Sequence, residues 1–503
     1  MKKMKKIIVL LLCAFFVLVF FAACEKEKPS APEDLDPAIV TPDGTQDSGV
    51  VDPPPADTCE HEWELTAFVT EETTVPFAGK FVCGKCKKVE VKSFSYTDIE
   101  IPLVNIEGDI SEISKENKVN VNVKYQSRTN SFESAATMKL QGNSSLSWPK
   151  NNFSVTLRDD SFDKKNKVIV NNEWGAQSKY CLKADYEDPS YSRNLIMSDL
   201  YGQIAKTRDA EDEYSALPNG GAVDGFMVLV YLNGKYFGIY NWNIPKDKWL
   251  FDMGDDDAGE AVLFGSSNLL DDGGITVEED AESHWEVEYC NTDYSDNGNQ
   301  WAVDSFNEML RFSINAGVSK FRENASRYLN VDRTIDAVLF SCIFGGRDNI
   351  HANLLFCTYD AVHWTPIVYD LDETLGRDGG DIVETDGFAD CVGNPIYRAV
   401  LVAFYPEIRA RYFSLRERIL TTENIMGLIA DLTKGMDERY FNSEINKWQN
   451  AGWQRELSAD GSRIDSFAAE FSYIENYIES RLAFCDRVIS TEDPSMPGFG
   501  AIN

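Results

Sequence analysis

Gly345–Gly376 reads GGRDNIHANLLFCTYDAVHWTPIVYDLDETLG. An Arg-Asp pair, Arg347 and Asp348, is followed five residues later by Asn353. The strand-like run Thr365–Tyr369 then delivers Asp370 and Asp372 in alternation. Phosphoryl transfer asks for these types at this spacing: one carboxylate to take the nucleophile's proton, and a separate Asn and Asp to hold metal against phosphates. A loop followed by a strand can bring all three into one pocket. The same letters also suit a polar turn before a buried strand that ends in acidic residues.

Working outward, strands come before this stretch and helices after it. Ile99–Ile106, Val119–Lys124, Ala136–Leu140 and Phe153–Leu157 alternate apolar and polar residues, the pattern of a half-buried antiparallel sheet. Gly225–Leu232 and Lys235–Tyr240, joined by Asn233-Gly234, predict a hairpin. Helical apolar spacing marks Ser192–Ile204, Val303–Ile314, Val331–Ile343, Tyr397–Leu420, Thr422–Tyr440 and Ile464–Val488. The fold class is α+β, with a β-rich lobe first and a helical lobe second. Gly254–Tyr289 is rich in Asp, Glu and Gly and is expected as an acidic surface insertion.

The first residues set the location. Met1–Lys6 is basic, Ile7–Phe21 is an unbroken apolar run, and Phe21-Ala-Ala-Cys24 precedes the charged Glu25–Lys28. This pattern is the one expected of an export signal. It resembles a bacterial lipoprotein signal, which implies cleavage before Cys24, lipidation of that cysteine and a body tethered outside the cytoplasmic membrane; an uncleaved anchor is the alternative. Residues 25–58 carry repeated prolines among Asp, Gly, Thr and Ser, a composition expected of an extended tether. The formal charge of −34 argues against nucleic acid as a partner.

Residues 59–95 form a small Cys/His module. Cys83-Gly-Lys-Cys86 is a knuckle that points two thiolates at one metal, and Cys59 and His61 can complete a tetrahedral zinc site. A disulfide among these cysteines is the competing arrangement. Six further cysteines (Cys181, Cys290, Cys342, Cys357, Cys391 and Cys485) can form disulfides or stay as buried thiols.

Several separated pieces of residues 96–490 carry a resemblance. They are Gly142–Ser145 with Pro149-Lys150, Leu182–Ser190 with Arg193-Asn194, Tyr231–Tyr240, Asp348–Asn353, Tyr369–Asp372 and Tyr477–Arg481. Together, in this order, they resemble the spore coat protein H (CotH) kinase family. The resemblance implies a divergent, secreted protein kinase body, followed by a tail over residues 491–503. It implies ATP and Mg2+ or Mn2+ as cofactors, and Ser of surface or spore-coat proteins as acceptor.

Carried over residue by residue, the resemblance makes Asp348 the catalytic Asp and Asn353 and Asp370 metal ligands, with Asp372 a second carboxylate ligand or a support for Asp370. Lys150 would contact the nucleotide phosphates, and Arg193 could face a phosphate or pair with Asp188. One departure stands out: the family has a Glu a few residues after the hairpin, where this chain has Asn243. A catalytically inactive surface, coat-assembly or adhesion module is therefore the alternative. Asp370 and Asp372 on one strand face would also suit an acid-pair glycan hydrolase.

Overall fold

The computed structural model describes residues 59–208, 213–254, 258–265, 274–277, 285–344, 348–378, 381–382, 393–448 and 465–490. All of them belong to one compact unit, Pro54–Asn503. The signal segment with Cys24, the whole tether and the tail lie outside the described residues. Among the described residues, no helix is long and apolar enough to cross a membrane.

Strands β1 (Trp63–Phe68), β2 (Ala78–Cys83) and β3 (Val89–Ser93) form a three-stranded antiparallel sheet. Seven strands then close into a barrel: β4 (Leu103–Glu107), β5 (Val119–Gln126), β6 (Ser131–Gln141), β7 (Asn152–Arg158), β8 (Lys179–Lys183), β9 (Gly225–Leu232) and β10 (Lys235–Asn243). Their order is β8-β10-β9-β4-β5-β6-β7, with β7 pairing back to β8. Only the β4–β9 pair is parallel.

Alternation explains the placement. In β5, Val121, Val123 and Tyr125 point into the barrel core while Asn120, Asn122 and Lys124 stay outside. β9 is apolar at nearly every position because both its faces are covered. Val228 and Val230 face inward, whereas Met227, Leu229 and Tyr231 pack against Leu65, Phe68, Phe81 and Phe94 of the three-stranded sheet. The Asn233-Gly234 turn has positive φ at both residues, 52° and 74°, as a two-residue hairpin requires.

The α+β class holds, but the acidic stretch 254–289 is not simply an insertion. Strands β11 (Ala261–Gly265) and β12 (Trp285–Cys290) lie in it. With β13 (Leu354–Thr358) and β14 (Thr365–Ile367) they form a four-stranded sheet in the order β12-β11-β13-β14. This sheet is a middle layer. Val262, Leu355 and Cys357 pack towards the barrel core, and Leu263, Leu354 and Phe356 pack towards the helices. Pro366 is tolerated because β14 is an edge strand.

Besides a short helical turn at Glu213–Ala216, the helices are α1 (Arg193–Ala205), α2 (Gln300–Asn315), α3 (Val318–Asn324), α4 (Val331–Phe344), the single turn α5 (Asp348–His351), α6 (Pro395–Ala403), α7 (Tyr405–Arg416), α8 (Thr422–Leu432), α9 (Glu438–Trp448) and α10 (Phe467–Ile489). Two expected helices are each split. Pro406 starts α7 and breaks the run from Tyr397, since it has no N–H for the preceding turn. The run from Thr422 breaks where Gly435 adopts φ 87°. Helix α1 was expected to be apolar on one side, yet it is buried almost all round.

Candidate functional site

The acidic pair sits where barrel, four-stranded sheet and helices meet. Strand β14 stops at Ile367, so Asp370 and Asp372 follow it in a turn rather than alternating along it. That corrects the shared-face arrangement on which a glycan hydrolase would depend. Asp370 takes a left-handed backbone, φ 57°, which aspartate tolerates better than most residues. Two amides hold it there. Asn349 of α5 donates from Nδ2 to the Tyr369 carbonyl at 2.5 Å and to the Asp370 carbonyl at 3.4 Å. Asn194 of α1 accepts the Leu371 N–H at 3.1 Å.

The cation facing this turn is Lys183, the last residue of β8. Its Nζ lies 3.3 Å from Asp370 Oδ1, and its side chain is only 11% exposed. Burial alone would lower the Lys183 pKa, but Asp370 first, and after it Tyr369, Cys181 and Asp372, more than offset that and hold the ammonium well above its usual range. Burial also pushes the Asp372 carboxyl up, and Asp370 and Asp185 add to the effect. Asp185 is raised to about 7 by burial and by Asp188, and receives a hydrogen bond from Asn241 Nδ2. Carboxylates that resist ionisation together form a place where a divalent cation would be stabilised. Asp370, whose side chain is 30% exposed, opens the group to solvent.

Asn353 is half-buried with φ 48°, at the entry to β13. The backbone of Asp348 starts α5; its side chain and Arg347 lie outside the described residues. The expected catalytic loop is thus a single helical turn whose next residue, Asn349, anchors the aspartate turn.

Lys150 is held away from the phosphate-facing role expected of it, and Arg193 takes the second of its two expected roles, the pair with Asp188. Lys150 is 2% exposed, and its Nζ donates to the Ala184 carbonyl at 2.9 Å, the Ile239 carbonyl at 2.5 Å and Glu444 Oε2 at 2.8 Å. Three donors with three internal acceptors leave none for a phosphate. Arg193 is fully buried: it pairs with Asp188 and Glu470 and donates from Nε to the Thr374 carbonyl at 3.0 Å. Its work is to fix the backbone beyond Asp372. Asp188 also accepts the N–H groups of Ser190, Ser192 and Arg193 at the start of α1.

Sequence reasoning missed Lys183, although a lysine inside the apolar run Tyr180-Cys-Leu-Lys-Ala184 was a visible signal. Asn349 and Asn194 lay inside quoted motifs. Glu444 had no local signal, being 294 residues from its partner. Asn243 is 1% exposed and stands opposite Gly225 and Cys181 in the barrel. The carboxylates supplied to the two lysines come from Asp370 and Glu444 instead.

A second cluster lies in the three-stranded sheet. Cys59, His61, Cys83 and Cys86 place their donor atoms within 4.8 Å of one another, the one such group of three or more among the described residues. Cys59 Sγ and Cys83 Sγ are 3.8 Å apart, and Cys86 Sγ is 3.3 Å from His61 Nδ1. A tetrahedron with Zn–S bonds of about 2.3 Å has edges of about 3.8 Å. All three cysteines are free thiols, as are Cys181, Cys290, Cys357 and Cys485; Cys342 is disulfide-bonded. The donor set fits zinc.

The family model described as CotH kinase protein matches residues 138–485, more than half of the chain. The chain belongs to the CotH kinase family. The match runs from within β6 to within α10, so this CotH kinase body includes the aspartate turn, Lys183 and both buried ion pairs, and leaves out the Cys/His sheet. No curated protein matches it.

Proposed function

We propose that the protein is an extracytoplasmic, atypical protein Ser kinase on a divergent kinase-like body, transferring phosphate from ATP to surface or spore-coat proteins. The observation that carries this reading is the Lys183–Asp370 contact of 3.3 Å at a turn held by Asn349 and Asn194. Asp370, with Asp372 and Asn353, would hold Mg2+ or Mn2+, which neutralises phosphate charge when bound. Lys183 takes the phosphate-facing role first expected of Lys150. Asp348 would accept the proton of the acceptor hydroxyl. The lipid on Cys24 and the tether would keep the body at the outer face of the membrane, within reach of protein substrates. Cys59, His61, Cys83 and Cys86 would hold a structural Zn2+.

Radiolabel transfer from ATP to co-expressed surface proteins tests the reading, with wild type set against Asp370→Asn. Transfer that requires Mg2+ or Mn2+ and falls about 100-fold or more in the variant is expected. Undiminished transfer by Asp370→Asn would show the assignment to be wrong. The buried Asn243 in place of an acid supports a second reading, a non-catalytic coat or adhesion module. Heatless titration of ATP with Mg2+ and with Mn2+ would favour that one.

A further inference from the structure

A second lysine stands at the aspartate turn. Lys246 follows β10 by three residues, and its side chain is 13% exposed. Its Nζ lies 4.0 Å from the ring centroid of Phe264 in β11 and 5.3 Å from that of Tyr369, and it pairs with Glu288 in β12. Lys183 Nζ lies 5.6 Å from the centroid of the same Tyr369 ring. One tyrosine, next to Asp370, is therefore flanked by two nearly buried ammonium groups.

Stability alone is a poor reason for this arrangement. Two like charges near one ring repel, and burying each costs several kcal/mol unless it is well paired. Burial pushes the Lys246 ammonium down to about 8, and Lys183 acts in the same direction against the opposing pull of Glu286. An apolar side chain would join barrel to sheet with no such penalty. A ligand carrying adjacent negative groups would relieve the repulsion, and only one that spans both lysines could do so fully.

We propose that Lys246 is a second phosphate-binding lysine, which with Lys183 grips adjacent phosphate groups of a nucleoside di- or triphosphate. Glu288 holds its ammonium in place until the phosphates replace that carboxylate. The inference rests on the phosphotransfer reading above and adds a residue that selects ligands by phosphate count. The competing role is a plain strut between barrel and sheet.

Isothermal titration of ATP, ADP and AMP with Mn2+ separates these roles, using wild type, Lys246→Met, Lys246→Arg and Glu288→Gln. Lys246→Met should weaken ATP and ADP about tenfold, leave AMP unchanged, and be largely restored by Lys246→Arg. Glu288→Gln, by freeing the ammonium, should tighten ATP severalfold. Lys246→Met binding ATP as wild type does, or losing ATP and AMP equally, overturns the inference while the phosphotransfer reading stands. Should Lys246→Met fail to fold, Glu288→Gln decides: tighter ATP binding supports the grip, and unchanged or weaker binding overturns it. Wild type that binds none of the three nucleotides removes the reading and the inference together.

Discussion

Asp370 concentrates the chemistry of the molecule in one residue, and its backbone explains how. A left-handed φ turns its carboxylate out of the strand direction, so that it meets Lys183 from the barrel. Nothing in the letters Tyr-Asp-Leu-Asp announces that φ; it is imposed by Asn349 and Asn194 acting from two helices. Buried carboxyls also leave a signature in stability. Asp199 in α1 is raised to about 7, by burial first and then by Asp224. In the unfolded chain such a group has lost its proton by about pH 4. Between about pH 4 and pH 7 the folded state therefore binds a proton that the unfolded state does not. This contribution to stability falls as pH rises through that window. Asp199→Asn can keep its contact with Asn219 and has no charge to bury. Thermal melts should show it more stable than wild type at pH 8 and equal to it near pH 4. A constant offset at both values would place the effect elsewhere.

At the scale of elements, local pattern was legible and long-range pairing was not. Period-2 alternation located β5, β6 and β7, and Asn233-Gly234 marked the β9–β10 hairpin. Closure of the barrel depends on β7 meeting β8, which no local spacing encodes. The helix breaks at Pro406 and Gly435 are legible from residue type, whereas helical apolar spacing alone runs straight through both. Lys150 is the sharpest case. Its neighbourhood suggested a phosphate contact, whereas its partner arrives on α9. Glu444 accepts from Lys150 Nζ, from the Ile239 N–H at 2.7 Å and from the Tyr236 hydroxyl at 2.8 Å, so one carboxylate docks α9 onto the barrel. Both charged side chains are 1% exposed. Removing one leaves the other buried without its counter-charge, which costs about 3–5 kcal/mol. Lys150→Met and Glu444→Leu should each lower denaturant stability by that order. The double variant should lose less than the sum of the two. Additive losses in a double-mutant cycle would show that the pair is not coupled.

For the whole molecule, a β-rich first part with helices concentrated later, the acidic pair after Tyr369 and the Cys/His quartet could be read in advance, but the turn that carries the pair and the strands interleaved with the helices could not. What could not be read is that the Cys/His sheet shares a core with the barrel. A segment of about thirty residues with four ligand positions suggests a self-contained module. In the structure, Leu65, Phe68, Phe81 and Phe94 join Leu103, Leu229, Tyr231 and Tyr236 of the barrel exterior, together with Tyr440 and Phe441 of α9. Arg439 of α9 donates to the Leu65 carbonyl at 2.9 Å, and the Phe77 N–H donates to the Gly234 carbonyl at 2.7 Å. The sheet thus covers β9 and braces the helix that carries Glu444. Metal bound by Cys59, His61, Cys83 and Cys86 would hold β1 against β2 and, through them, this outer face. Chelation with EDTA or phenanthroline, or Cys86→Ser, should then lower the melting temperature of the whole body, by about 5 °C or more. A local loss confined to residues 59–95 is not expected. Hydrogen exchange should show reduced protection in β9 and α9 as well as in β1–β3. If exchange rises in β1–β3 alone while the melting temperature holds, the sheet is an independent appendage and its metal serves only itself.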